Sequence, residues 1–159
     1  MSDKISSEGA LCQGTLFRYL GYINKAFSQQ IELELQKRGY DDFQISNIWL
    51  LILIERFPNY PMNELAQVVH QSRANISIIS KKLVQKGYVV KTHPENNKKV
   101  IYLVSTEKWL TLKPIVFMLV NELDQKIAKT LSESNYQVLL ADLAKIVDFF
   151  KNEIAVGSK

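Results

Sequence analysis

Side chains that could hydrogen-bond to bases or neutralise phosphates are concentrated in the middle of this chain. Arg73 could pair with a guanine edge through two parallel hydrogen bonds, and Asn75 could pair in the same way with adenine. The alternative is that Arg73 binds only phosphate and that Asn75 only assists a helix cap. The sequence suggests a double-stranded DNA partner, with these candidate contacts: Ser72, Arg73, Asn75, Ser77, Lys81, Lys98 and Lys99.

The second of two short predicted helices would carry most of these side chains. Ile76, Ile79 and Leu83 recur at helical spacing, which predicts that they face the core and leave the polar residues towards solvent or DNA. Ser72 precedes this run, where its hydroxyl can accept a backbone N–H as an N-cap. Gly87 follows it, at the position where a left-handed residue ends a helix.

A hairpin is predicted directly after this helix. Residues 88–92 and 100–104 are β-branched and aromatic runs, and a polar, asparagine-rich turn that ends in Lys98 and Lys99 separates them. Those two lysines could reach a minor groove or phosphates, or they could simply be solvated. The predicted fold class is mainly α, with a winged helix-turn-helix and its β-hairpin wing over residues 43–104.

The positive charge of the chain coincides with this pattern. The formal net charge is +4, whereas residues 61–104 contain seven basic and two acidic residues and therefore carry +5. Local positive potential is what attracts phosphates. The alternative is that these lysines form a solvated face without a partner. The positive charge coincides with a predicted helix-turn-helix, however, and this favours DNA binding.

Long helices are predicted on both sides of the winged lobe. Residues 9–38 carry an apolar stripe, and residues 105–155 form two more helices, of which the first contains Pro114 and is expected to bend near it. A small winged domain does not need these helices, so we expect them to be buried against a second copy of the chain. The sequence thus predicts a homodimer, which would present two reading helices to a pseudo-palindromic operator.

Composition and motif content argue against several other classes. The 159 residues are 47% hydrophobic, which fits one compact domain, and the longest apolar run, Ile48–Ile54, is too short to cross a bilayer. The first residues lack the apolar core of a signal peptide, so a cytoplasmic protein is expected. One cysteine excludes an internal disulfide, and two distant histidines give no zinc spacing. Catalytic signatures are missing from the sequence, so we expect no enzyme, no cofactor and no membrane partner.

The sequence resembles the MarR family of bacterial winged-helix regulators from about Leu16 to Phe150. The segments that carry the resemblance are Glu64-Leu65-Ala66, Ser72-Arg73, the run from Ile76 to Leu83, and Lys86-Gly87-Tyr88-Val89. The resemblance implies a homodimeric transcriptional regulator with recognition helices in major grooves and wings beside them. It also implies modulation by a small-molecule effector.

The wing and one helix position depart from the family pattern. Asn96 stands at the family's Asp and Lys98 at its Arg, which removes an ion pair and replaces a planar fork with a point charge. Ile78 stands where many members carry a phosphate-contacting Arg. The wing is therefore expected to neutralise phosphate rather than to read groove shape.

Other residues invite functional interpretations that the sequence does not favour. Some relatives sense peroxides through a cysteine in the first helix, but their cysteine aligns near Phe17, and no cation lies within one helical turn of Cys12 to stabilise a thiolate. His70 is expected to finish the turn before Ser72. The sixteen aromatic residues could line a cleft for a small aromatic effector, but core packing explains aromatics at helical spacing more often than ligand binding does, so no effector residue is assigned.

Two functional hypotheses remain. The first is a homodimeric, sequence-specific DNA-binding transcriptional regulator under effector control. The second is a winged-helix scaffold for protein interactions that does not bind DNA. The basic wing and the exposed pair of Arg73 and Asn75 favour the first, because a protein-binding wing more often has an apolar surface.

Overall fold

A computed structural model of the chain describes residues 15–68 and 72–157. Its elements, in chain order, are α1 (Leu16–Lys37), a 3-10 turn (Ile45–Asn47), α2 (Ile48–Arg56), α3 (Met62–Val68), α4 (Arg73–Gln85), β1 (Val89–Thr92), β2 (Tyr102–Ser105), α5 (Glu107–Leu131) and α6 (Glu133–Gly157). The predicted class, mainly helical with a two-stranded wing, is confirmed. The chain divides into two compact units, up to Phe117 and from Met118 onwards, and each is described by itself.

Some predicted boundaries differ from the observed ones. Residues 9–14 of the predicted first helix, with Cys12, and the turn residue His70 lie outside the described residues. The apolar pattern of residues 43–57 predicts one helix that is apolar on nearly every side and therefore buried. This segment begins instead with the 3-10 turn, whose first backbone N–H, at Ile45, donates to the Glu32 carboxylate (3.0 Å). The expected burial is also wrong on one side, because Ile52 is 40% exposed.

Two glycines end helices in the left-handed conformation, which the sequence predicts for Gly87. Gly39 has φ +84° and Gly87 has φ +74°, a region that residues with a Cβ rarely adopt. After α4, the N–H of Gly87 donates to Val84 O and that of Tyr88 to Leu83 O, which is the paired pattern of a Schellman cap. The chain therefore leaves the helix directly into β1, with Tyr88 turned into the core.

The core of the first unit is built around aromatic side chains. Tyr88 and Trp109 are fully buried. Phe43 packs against both, stacked on Trp109 with ring centroids 5.8 Å apart and edge-on to Tyr88 at 5.2 Å. Such pairs contribute roughly 0.5–1.5 kcal/mol beyond the area that they bury. They join the segment after α1 to β1 and to the start of α5.

Tyr88 also belongs to a group of hydrogen-bonded residues, here called the Asp42 cluster (Asp42, Lys86, Tyr88 and Lys108). The Tyr88 hydroxyl and the Lys108 ammonium both donate to the Asp42 carboxylate (2.5 Å each), and Lys86 donates to the Asp42 carbonyl (2.5 Å). The Lys108 ammonium also lies 4.2 Å from the Tyr88 ring centroid. Burial alone would raise the pKa of Asp42, but the hydrogen bonds from Lys108 and Tyr88 and the nearby lysine charges outweigh it, so that this pKa lies below its ordinary value.

A second polar contact fixes the start of α5 against α2. The indole N–H of Trp109 donates to one oxygen of the Glu55 carboxylate (2.5 Å), and Lys113 forms an ion pair with the other oxygen. The carboxylate therefore provides the partner that a buried indole needs.

The second unit consists of the end of α5 and of α6. Ser132, with φ +69°, connects the two helices, and its carbonyl accepts the Tyr136 N–H (3.0 Å) at the start of α6. Burial and the neighbouring Asp124 carboxylate, which is also a hydrogen-bond partner, raise the pKa of Tyr136. No helix in the described ranges is long and apolar enough to cross a membrane.

We expect Tyr88→Phe to lower the free energy of unfolding by about 1–3 kcal/mol, because it removes a hydrogen bond to a carboxylate and keeps the buried ring. Urea unfolding measures this change. Tyr102→Phe is the matched control, because it removes a hydroxyl from a half-buried tyrosine outside the cluster.

The pH dependence of stability in the wild type and in Tyr88→Phe tests the ionisation of Asp42. Since the folded-state pKa of Asp42 lies below its ordinary value, its stabilisation is present at neutral pH and is lost as the pH falls through the folded-state pKa. The difference in stability between the wild type and Tyr88→Phe should shrink over that acidic range. A difference that is independent of pH would contradict an ionic Asp42 cluster.

Candidate nucleic-acid interface

The start of α4 has the cap that the sequence predicts. Ser72 is extended (φ −68°, ψ 144°), and its Oγ accepts the Asn75 N–H at 3.1 Å. The Ser72 hydroxyl keeps its own proton for donation to another acceptor. Asn75 is half-buried, whereas Ser72 and Arg73 are exposed, so Arg73 is the more accessible of the two candidate base-reading residues.

The buried face of α4 differs from the predicted one by one residue. Ile76 and Leu83 are buried as predicted, but Ile79 is only half-buried, and Ser80 is fully buried instead. The Ser80 Oγ donates to the Ser77 carbonyl (3.0 Å) and approaches the Met62 sulfur (3.6 Å). A short hydroxyl that bonds to its own helix can be buried without an unpaired donor, which hydrophobic periodicity does not reveal.

The exposed face of α4 carries two adjacent rows of side chains. With about 3.6 residues per turn, positions four apart lie nearly in line along a helix. Row 1 is Arg73, Ser77 and Lys81, and row 2 is Ala74, Ile78 and Lys82; all six are exposed. Row 2 lies opposite the buried residues. Lys82 and Ile78 were not among the predicted contacts, and a helical wheel drawn from the correct buried face would have identified both.

Among the described residues, the basic side chains of these rows form no ion pair with a carboxylate. The ion pairs within residues 15–68 and 72–157 involve other cations: Lys37, Arg38, Lys108, Lys113, Lys145 and Lys151. Lys86 is different, because it is half-buried and donates to the Asp42 carbonyl. It contributes to the charge counted along the sequence but not to the exposed rows.

The wing is anchored to the helices at its base. β1 and β2 pair antiparallel, with Val89 opposite Ser105 and Thr92 opposite Tyr102. On the other side of β2, Pro61 forms an isolated bridge with Tyr102, and the Met62 N–H donates to Ile101 O (2.9 Å). The strand is thus held between β1 and the first residues of α3.

The wing tip presents the two predicted lysines to solvent. Lys98 and Lys99 are exposed, and Lys91 on β1 is a further exposed cation that the prediction omitted. The Asn97 side chain accepts the Lys99 N–H (3.1 Å), and the His93 Nδ1–H donates to the Val100 carbonyl (2.8 Å). These bonds order the turn that contains Asn96, the position where the family pattern has an acidic residue.

Comparison with known proteins agrees with this geometry. No curated protein sequence matches the chain. The model of the MarR family matches residues 45–101, the segment from the 3-10 turn to the residue before β2, and confirms the resemblance over that part.

Solved structures match over most of the chain. A crystal structure of MarR has a TM-score of 0.73 and 16% identity, and the match covers 87% of this chain and 99% of that protein. A MepR–DNA complex from S. aureus has a TM-score of 0.69 and 15% identity, over 86% and 98%. A putative MarR family regulator from Listeria monocytogenes, complexed with a 26mer DNA, has a TM-score of 0.64 and 22% identity, over 89% and 92%. At these identities the likeness establishes the winged-helix fold of MarR regulators.

We expect the double variant Lys98→Ala/Lys99→Ala to weaken binding to specific and random DNA by similar factors, because lysine is a point charge suited to phosphate. Each lost phosphate contact lowers the salt slope of binding by about 0.9, so that a dimer would lose up to roughly 3.6. The measurement is affinity for both DNAs across a salt series.

Lys145→Ala/Lys151→Ala is the charge-matched control, because it removes two exposed cations from α6, where each pairs with an aspartate three residues before it. An unchanged slope in the wing variant would mean that the wing lysines stay in solvent. A loss confined to the specific site would mean that they read sequence.

Proposed function

We propose that the protein is a sequence-specific, double-stranded-DNA-binding transcriptional regulator that acts as a homodimer. The observation that carries this proposal is the exposed face of α4, where Arg73, Ser77 and Lys81 lie in one row. Arg73 and Lys81 take part in none of the ion pairs of the described residues, and the lysine-bearing wing follows this helix in the chain. A polyanion with a groove wide enough for a helix fits this surface. Two of the proteins that share the fold, the MepR and Listeria monocytogenes regulators, are in complexes with DNA, which supports the proposal.

In the proposed complex, α4 lies in the major groove. Arg73 is the candidate for guanine and Asn75 for adenine, both near the start of the helix, where recognition helices contact base edges. Ser72, Ser77 and Lys81 are assigned to phosphates, which set the position of the helix. Lys98 and Lys99 extend the contact to the backbone beside the neighbouring groove.

The proposed homodimer rests on apolar surface that the single chain leaves in water. In α1 only Ile31 and Leu35 are buried, while Phe17 is 87% exposed. Further large apolar side chains of α1 that are about half exposed are Leu16, Tyr19, Leu20, Tyr22, Ile23 and Leu33. In the second unit Val138, Val147, Phe149 and Phe150 are more than half exposed. Apolar surface on this scale marks an interface, and we assign residues 9–38 and 105–155 to it.

A two-fold homodimer defines the form of the DNA site. Its two α4 helices are related by symmetry, so the operator would be a pseudo-palindrome with half-sites centred about one helical turn apart.

Effector control is the remaining part of the proposal. A cavity of about 520 Å³ lies beside the end of α1, lined by Gln29, Glu32, Leu33, Gln36, Asp41, Phe43 and Gln44. This volume is within the usual range for small-molecule sites. The apolar surface of Leu33 and Phe43 would suit a small aromatic effector.

We expect Arg73→Ala to cost about 1–3 kcal/mol per half-site and to flatten the preference for one base in each half-site. The measurement is affinity for the preferred duplex and for its single-base variants. Arg56→Ala, an exposed arginine on α2, is the charge-matched control and should keep the preference. Uniform weakening on all sequences would make Arg73 a phosphate contact.

We expect sedimentation to show a dimer at micromolar concentration, with no folded monomer appearing on dilution. Ile23→Glu should dissociate the dimer, because it buries an unpaired charge in the proposed interface. Gln36→Glu adds the same charge to the polar side of the same helix and should leave the dimer intact. A well-folded wild-type monomer would contradict the proposed assembly.

A further inference from the structure

Ile78 is an apolar side chain at the centre of the surface proposed to meet DNA. It is 57% exposed, although it lies in the middle of α4. The buried residues Ile76, Ser80 and Leu83 define the inner side of the helix, and a rotation of 100° per residue places Ile78 almost directly opposite their mean direction. No other residue of α4 combines such a position with a large apolar side chain.

The surroundings of Ile78 are cationic. Row 1, with Arg73 and Lys81, lies on one side of it, and Lys82 follows it one turn later in row 2. An apolar protein partner or a dimer contact would require these three charges to be desolvated, which is costly. Duplex DNA would instead pair Lys81 and Lys82 with phosphates and Arg73 with a base edge, while it offers Ile78 an apolar group.

The apolar group in the major groove is the 5-methyl of thymine, since every other feature of the base edges there is a hydrogen-bond donor or acceptor or an aromatic C–H. The isoleucine side chain has neither a hydrogen-bond donor nor an acceptor, so it cannot bond to any of the polar groups on the base edges. Ala74, one turn before Ile78 in row 2, is small, so the helix can approach the base edges at this point without a bulky neighbour.

We infer that Ile78 is a specificity-determining residue that contacts the 5-methyl group of a thymine in each half-site of the operator. The inference rests on the proposed function and adds a base identity to it. The contact selects thymine over cytosine, which lacks the methyl group, and over any base that would place a polar atom against Ile78. It is independent of Arg73, which would read a different base through hydrogen bonds.

The test uses uracil, which pairs with adenine as thymine does and lacks only the methyl group. The probe is the duplex that the full-length protein itself enriches from a random double-stranded library. Each thymine of its half-sites is replaced by uracil in symmetric pairs, and the affinity of every duplex is measured. One pair should weaken wild-type binding by about fourfold per half-site, hence about sixteenfold for the symmetric duplex, from the loss of one buried methyl group.

The variant Ile78→Ala makes the assignment specific to this side chain. It should bind the thymine and uracil duplexes equally at the sensitive position, while Arg73→Ala should keep that sensitivity. Ile52→Ala is the matched control, since it shortens an exposed isoleucine of α2 and should retain the full thymine preference.

Each outcome has a defined meaning. Sequence-specific binding without any uracil-sensitive position, or with a sensitive position that Ile78→Ala retains, would overturn the inference and leave the proposed function standing. Failure of the wild type to prefer any enriched duplex over a scrambled one would overturn both. Loss of the uracil effect in Ile78→Ala, with the effect intact in Ile52→Ala, is the result expected.

Discussion

The winged lobe depends on the burial of one tyrosine whose hydroxyl must find an acceptor. Tyr88 is fully buried, and Asp42 provides that acceptor while it also receives Lys108. Because an unpaired buried hydroxyl is costly, the segment after α1, the end of α4 and the start of α5 are held in one arrangement. The orientation of α4, and with it the exposed rows, follows from this contact.

The features that the sequence predicts well are those set by neighbours along the chain. Ser72 caps α4 and Gly87 ends it because a cap depends on residues within one turn. The partners of Asp42 could not be predicted, since Tyr88 and Lys108 lie 46 and 66 residues away and nothing in the local pattern marks them. The boundary near Ile45 was missed for the same reason, because the Glu32 carboxylate that binds its N–H belongs to α1.

The candidate interface shows the same division between local and distant causes. Arg73, Ser77 and Lys81 were predicted because helical spacing places them on one side. The burial of Ser80 in place of Ile79 could not be predicted, because it depends on the approach of Met62 from α3. Charge counting along the chain also included Lys86, whose ammonium is bound to the Asp42 carbonyl. Only tertiary contacts separate charges that face outwards from charges that hold the lobe together.

The Schellman cap at Gly87 has a consequence for how such a protein can change its target. Only Lys86 and Gly87 separate the last residue of α4, Gln85, from Tyr88 and β1, and β2 is bonded on its far side to the start of α3. The distance between the helix and the wing is thereby fixed by backbone bonds, whereas the bases that the helix contacts are chosen by the side chains of its two exposed rows. Substitutions on α4 can alter which bases are preferred. The distance along the DNA between the contacts of the helix and those of the wing stays the same, because the backbone sets it.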